Sequence, residues 1–267
     1  MKNALKTSKK QPLIWGLVLL FLYVISCKNK KEAPKGESPI TSVEALIDFM
    51  KTQKSEDQIT EFTFVQETVH FNEEGQPQDT STWYEAIRYP TEFRIDFGDP
   101  ENRNANINRN DSIYVFRKDS LVHSGPEIQE FLILEGGLFH YSTAETLERL
   151  KSLGIDTSIL NTSEYNGKPV YILGSTADDT SKPQIWVDAK ELYVVRRFSQ
   201  GKQGELYEVK YDDFKNIEGH WIETWIEFHV DGRLIQTERY NDIDLHPDLD
   251  DKVFDPKAFG ASYWFKN

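Results

Sequence analysis

The chain has 267 residues, one of them a cysteine, and its 44 acidic against 31 basic side chains leave a formal charge of −13. A surface that acidic excludes nucleic acid and an anionic membrane surface as electrostatic partners, because both require basic patches. A single thiol excludes an internal disulfide, so the fold must stand on a hydrophobic core, which a body of this length can supply as one domain.

In chain order the first element is an apolar run over residues 13–26, preceded by Lys2, Lys6, Lys9 and Lys10 with no acid and followed at once by Cys27. A charged start and an apolar core of this kind mark a signal peptide. The run is short of the ~20 residues that cross a bilayer comfortably. With an aliphatic and a small residue before the cysteine, Val24-Ile25-Ser26-Cys27 resembles a bacterial lipoprotein signal. That resemblance implies that residues 1–26 are the signal peptide and that Cys27 becomes the acylated N-terminus, a lipid anchor in a membrane. Losing the four lysines with the signal takes the formal charge from −13 to −17, so the lipid and not electrostatics must do the holding. By analogy with lipoprotein sorting, Lys28 in place of an Asp after the cysteine favours the outer membrane, facing the periplasm.

Residues 28–39 carry Pro34, Gly36 and Pro39 and offer only Ala33 as an apolar side chain. With Cys27 they read as a tether, 27–39, with a reach of about 20 Å if it behaves as a flexible coil. The folded body is expected over 40–267. Thr41-Ser42-Val43-Glu44 reads as a capping box, and Val43, Leu46, Ile47 and Met50 follow at helical spacing. From Ile59 the period falls to two: Phe62 and Phe64, then Trp83, Glu85 and Ile87, then Phe93, Ile95 and Phe97, each alternate with a second face.

Residues 127–134, opened by Pro126 and closed by Gly136-Gly137, read as a helix. Ser142-Thr143-Ala144-Glu145 caps a second one, with Leu147, Leu150 and Leu153 on one face and Gly154 at its end. Strands then resume at 170–173, 185–187, 192–195, 206–211, 221–230 and 234–240, with hairpin turns such as Asp231-Gly232. About eleven strands without an internal repeat argue against a propeller or solenoid. The expected class is mainly β (α+β), a single strongly curved antiparallel sheet with two inserted helices.

Five phrases in order carry a family resemblance: Tyr89-Pro90-Thr91-Glu92-Phe93-Arg94-Ile95-Asp96, Asn166-Gly167-Lys168-Pro169-Val170-Tyr171, Ile185-Trp186-Val187-Asp188 followed by Val195-Arg196-Arg197, Tyr211-Asp212-Asp213-Phe214 with Gly219 beyond, and Leu249-Asp250-Asp251-Lys252-Val253-Phe254-Asp255-Pro256. Together, over residues 40–259, they resemble the LolA/LolB-like proteins of bacterial lipoprotein sorting and lipid binding. The resemblance implies an incomplete barrel with a concave apolar trough under a helical lid, and a lipid or lipoprotein acyl chain as the ligand. Placing the even face of 221–230 inward, it gives Phe93, Ile95, Ile222, Ile226 and Phe228 as trough walls and Phe131, Leu132 and Leu134 as lid side chains. Carriers of that kind latch the lid with an Arg directly before the Pro. Here Tyr89 precedes Pro90 and Arg88 stands one step earlier, and a one-residue shift turns a side chain to the other face of a strand.

The same aromatic and aliphatic residues also serve as ordinary core under a curved sheet. A second reading therefore stands beside the lipid binder: a structural or adaptor lipoprotein that docks an envelope protein while its interior is filled by side chains. Catalysis has no Gly-x-Ser-x-Gly, His-Glu-x-x-His or phosphate loop to carry it, so no enzyme and no cofactor is expected. His220 and Glu223 would share a helix face, but a strand sets residues three apart on opposite faces. Asp242, Asp244, Asp248, Asp250 and Asp251 lack the order of a calcium loop and read as a solvated strand end.

Overall fold

The computed structural model describes residues 40–53, 58–260 and 264; Cys27, the signal segment and the tether lie outside them. The first helix is α1 (Val43–Gln53), and it buries the four residues the spacing selects, Val43, Leu46, Ile47 and Met50, because positions three and four apart form one stripe. Its cap is Ser42, whose Oγ accepts the Ala45 N–H at 3.1 Å, one residue later than the Thr41 cap expected.

The period-two segment folds as a meander: β1 (Glu61–Phe71), β2 (Pro77–Arg88), β3 (Glu92–Phe97), β4 (Ala105–Arg109), β5 (Ser112–Arg117) and β6 (Ser120–Pro126). After helix α2 (Thr143–Ser152) come β7 (Leu160–Tyr165), β8 (Lys168–Leu173), β9 (Gln184–Asp188), β10 (Val194–Gln200), β11 (Leu206–Asp212), β12 (Lys215–Ile217), β13 (His220–Ile222), β14 (Trp225–Val230) and β15 (Arg233–Asp244). Thirteen of these strands form one antiparallel sheet in the order β6-β5-β4-β3-β2-β1-β15-β14-β11-β10-β9-β8-β7. The sheet is strongly curved and does not close, which makes an incomplete barrel. Register shifts in β1 between Thr63 and Val65, in β10 between Val194 and Arg196, and in β14 between Phe228 and His229 insert bulges that bend it. Asn166-Gly167 and Asp231-Gly232 close two of the hairpins with φ of 50° and 75°, and of 49° and 78°, the left-handed pair that a two-residue turn between twisted strands requires.

This order positions the cover. Consecutive in sequence, β6 and β7 occupy opposite edges of the sheet, so the chain between them must cross from one edge to the other. It crosses the concave side, where Leu132, Ile133, Leu134, Leu138 and Leu150 share one core with Phe62, Phe64, Ile87 and Ile226. Lys51 of α1 fastens the crossing segment by donating to the Tyr141 carbonyl at 2.7 Å and to Thr146 Oγ1 at 3.2 Å.

Two sequence expectations fail. Residues 127–134 are not a regular helix: helical backbone starts only at Glu130, and a π turn over Leu132–Gly136 is followed by a 3₁₀ turn over Gly137–Phe139. The two glycines explain the irregularity. A Cβ on Gly136 would lie 2.2 Å from the Tyr89 ring, and one on Gly137 would lie 2.0 Å from the Leu132 carbonyl oxygen, so only side-chain-free residues let the backbone come this close. The strand expected over 221–230 is broken at Glu223-Thr224. β13 pairs with β12 in a separate two-stranded sheet, while β14 lies between β11 and β15. Thr224, fully buried, holds the break by donating its hydroxyl to the Asp213 carbonyl at 2.7 Å.

The convex face of β2–β5 is covered by the C-terminal segment, through Val253 and Phe254 on Ala86 and through Phe259 stacked on Phe116 with ring centroids 3.9 Å apart. Under it Arg94 and Asp96 form a doubly hydrogen-bonded pair at 2.8 and 2.9 Å, both nearly inaccessible, with Arg94 also donating to the Val253 carbonyl and Trp264 Nε1 to Asp96.

Candidate functional site

Residues directly opposite in an antiparallel ladder share a face, so the register defines what the concave side presents. Across β1, β2 and β3 the row Phe64, Glu85, Ile95 stands beside the row Gln66, Trp83, Phe97. Across β1, β15, β14 and β11, Thr68 faces Glu238, Glu238 faces Ile226, and Ile226 faces Tyr211; Gln66 faces Tyr240 and Phe228 faces Val209. Apolar and carboxyl side chains therefore alternate along one inner surface.

Between that surface and the crossing segment lies a cavity of about 480 Å³, walled by Phe93, Ile95, Phe131, Ile226 and Phe228 and floored by Gln66, Glu85, Glu135, Glu238, Tyr240 and Arg197. Its size falls within the roughly 300–1,000 Å³ of small-molecule sites. Phe131 of the crossing segment stacks on Phe93 with centroids 5.2 Å apart. Five of the eight side chains named from the sequence thus meet at this cavity. The other three do not: Leu134 is sealed in the core, Leu132 borders a void of only about 10 Å³, and Ile222, on the separate hairpin, lines a second cavity of about 290 Å³ with Phe62, Tyr89, His140 and Trp221. Glu135 borders both cavities.

Electrostatics set this site apart from an oil-lined trough. Glu85 is 2% exposed and forms no hydrogen bond or ion pair among the described residues. Burial, and then the neighbouring Glu238 carboxyl, hold its pKa well above the ordinary carboxylate value. Glu238 is pushed up to about 7 by burial, against hydrogen bonds from Gln236, Gln66 and Tyr240. Glu135 is raised by burial and by the Glu223 carboxyl that hydrogen-bonds it, with Glu238 and Glu85 adding repulsion. Its Oε2 is buried without a partner, as is Nε of Arg197, whose head group is paired with Glu130. Neutral carboxyls in such a place donate hydrogen bonds, and on giving up a proton they hold a cation; ionised ones without a cation repel one another.

Sequence reasoning missed this polar floor. A signal was present in Trp83, Glu85 and Ile87 on one alternating face, since a face that buries Ile87 buries Glu85 as well. Arg88 points to the convex side, as the shift argument requires, where it pairs with Glu61, Glu92 and Asp251 and donates to the Leu249 carbonyl at 2.7 Å. The neighbouring Tyr89 turns inward against Gly136 and stacks on His140 with centroids 5.7 Å apart, so a tyrosine meets the crossing segment here. In the acidic C-terminal cluster, Asp244 and Asp250 accept backbone N–H groups at 2.9 Å and Asp251 holds Arg88. These are capping and pairing roles.

No protein-family model matches the sequence, and no curated protein matches it significantly. Solved structures do match. A LolA superfamily protein from Nitrosomonas europaea aligns at 14% identity and a TM-score of 0.54 over 80% of this chain and 98% of its own. A putative outer membrane lipoprotein-sorting protein domain from Vibrio parahaemolyticus aligns at 12% and 0.55 over 82% and 97%. A DUF1329 family protein from Desulfovibrio piger aligns at 15% and 0.58 over 84% and 100%. The fold is LolA-like.

Proposed function

We propose that the chain is a bacterial envelope lipoprotein whose body binds a lipid, or the acyl chain of another lipoprotein, between the concave sheet and the segment that crosses it. The observation that carries this reading is the cavity of about 480 Å³ bounded by Phe93, Ile95, Phe131, Ile226 and Phe228. Apolar walls of this kind favour a hydrocarbon chain by about 25 cal/mol for each Å² taken from water. In the same reading residues 1–26 direct export, acylated Cys27 anchors the chain to the outer membrane on its periplasmic side, and residues 27–39 let the body reach about 20 Å from it. The likeness to a lipoprotein-sorting domain supports a role in moving lipid or lipoprotein across the envelope. Tyr89, and not an arginine, touches the cover at Gly136, and the ion pairs that reach the cover are elsewhere, between Arg197 and Glu130 and between Arg149 and Asp111.

Native mass spectrometry of the full chain, purified in an amphipathic polymer without detergent, tests the reading. Wild type should carry added mass matching a lipid, and Ile226→Glu, which puts a charge on the inner wall, should lose it while remaining folded. A folded wild type that carries no lipid, and acquires none when lipid is supplied, leaves the adaptor reading in possession.

A further inference from the structure

The cavity is lined by five carboxyl side chains and one guanidinium. That guanidinium, Arg197, is already paired with Glu130, so it leaves no cation for the floor. Glu85, 2% exposed, reaches the cavity without a hydrogen bond among the described residues, and Glu135 Oε2 is buried there with no partner. Burying a carboxyl without a partner is costly, and native proteins satisfy such groups with very few exceptions. An acyl chain alone would leave Glu85 unsatisfied, and an anionic head group would meet Glu238 and Glu135 beside it. A group with N–H donors and a positive charge would satisfy Glu85 and Glu135 and offset the charge of the already hydrogen-bonded Glu238, and the aromatic faces of Phe93, Phe131 and Tyr240 suit a cation as well.

We propose that the trough selects an amine-bearing lipid, with its ammonium group seated against Glu85, Glu238 and Glu135 and its chain along Phe93, Phe131 and Phe228. This inference rests on the lipid-trough reading and names the class of lipid. Burial disfavours the charged form of all three carboxyls and raises their pKa values above the ordinary carboxylate range. An arriving ammonium ion pairs with a carboxylate, and the displaced carboxyl proton leaves to solvent. Binding is then linked to proton release and tightens as the pH rises past the floor's titration. The groups facing that titration are Glu238 and Tyr240 on β15, Glu135 with Glu223 from the cover and the small hairpin, Tyr211 on β11, and Arg197 with its partner Glu130. Among the described residues that line the cavity, only Arg197 opposes the cation.

Calorimetric titration of the full chain in the same polymer with decylamine, decanol, decanoate and butylamine tests this directly. Decylamine should bind about tenfold or more tightly than decanol, the effect of one charge-assisted hydrogen bond. It should release protons near neutral pH, and Glu85→Gln should erase the preference for decylamine over decanol, with a cooperative thermal unfolding transition reporting that the variant is folded. Glu238→Gln repeats the test at the second carboxyl. Equal binding of the three decyl probes overturns the amine inference and leaves the trough standing. Binding by none of them overturns the trough reading itself. Butylamine bound as tightly as decylamine assigns the amine site to a free amine and overturns the lipid class.

Discussion

The two faces of one sheet treat buried charge in opposite ways. On the convex face arginines hold the carboxylates beside them: Arg94 holds Asp96 with two hydrogen bonds, Arg196 holds Glu208, and Arg88 is shared by Glu61, Glu92 and Asp251, while Asp188 accepts two backbone N–H groups. On the concave face Glu85, Glu135 and Glu238 gather without a cation of their own. A paired charge beneath a covering segment is part of how the segment is held. An unpaired carboxyl that faces a cavity costs stability and is explained by what the cavity is for. The contrast therefore divides structure from site within one set of strands.

The contrast breaks most visibly at Arg94. Arg94→Met leaves Asp96 buried and uncompensated, which should cost about 3–5 kcal/mol in chemical denaturation, whereas Glu85→Gln should leave stability unchanged or raise it. A smaller effect separates the faces by pH. The ordinary carboxyl value of 4.5 becomes about 7 for Glu238 in the folded state, so between those values the folded protein binds more protons than the unfolded one. Stability should then fall as the pH rises through that window, by up to about 3 kcal/mol from this group, and Glu238→Gln should flatten the slope measured by denaturation at successive pH values. A third comparison concerns packing, read as the difference between two truncations. Phe254, fully buried under the convex cover, should cost about 3–5 kcal/mol when replaced by Ala. Phe131, partly exposed at the cavity, should cost clearly less, and an equal loss would mean that the cavity is closed core.

Local chemistry made some elements legible. The stripe of Val43, Leu46, Ile47 and Met50 fixed α1, and the Gly-containing hairpins showed where strands turn. β6 was illegible because its turn, Lys118-Asp119, adopts φ of 50° and 66° without a glycine or asparagine to announce it. The break between β13 and β14 was hidden because alternation runs on through Glu223 and Thr224, and the interaction that stops the strand comes from Asp213, eleven residues away. The irregular cover escaped for a similar reason: its π turn depends on the ring of Tyr89, a contact no local pattern encodes. At the site, apolar alternation located the walls at Phe93, Ile95, Ile226 and Phe228. The carboxyl floor is assembled from β2, β15 and the crossing segment, and only the register between distant strands brings it together.

The central pairing of β1 with β15 also has a consequence for how the protein is made. Thr63 lies opposite Asp244, so the middle of the sheet is its last seam to close, and the loop entropy of that closure falls on the final step. Until β15 emerges, each half of the sheet ends in a bare strand edge, the kind of surface on which chains pair with the wrong neighbour. Any factor that shields extended strands during synthesis should therefore act on the stretch between the making of β1 and the arrival of β15, and a chain halted before residue 233 should accumulate as aggregate even though most of its strands are already present.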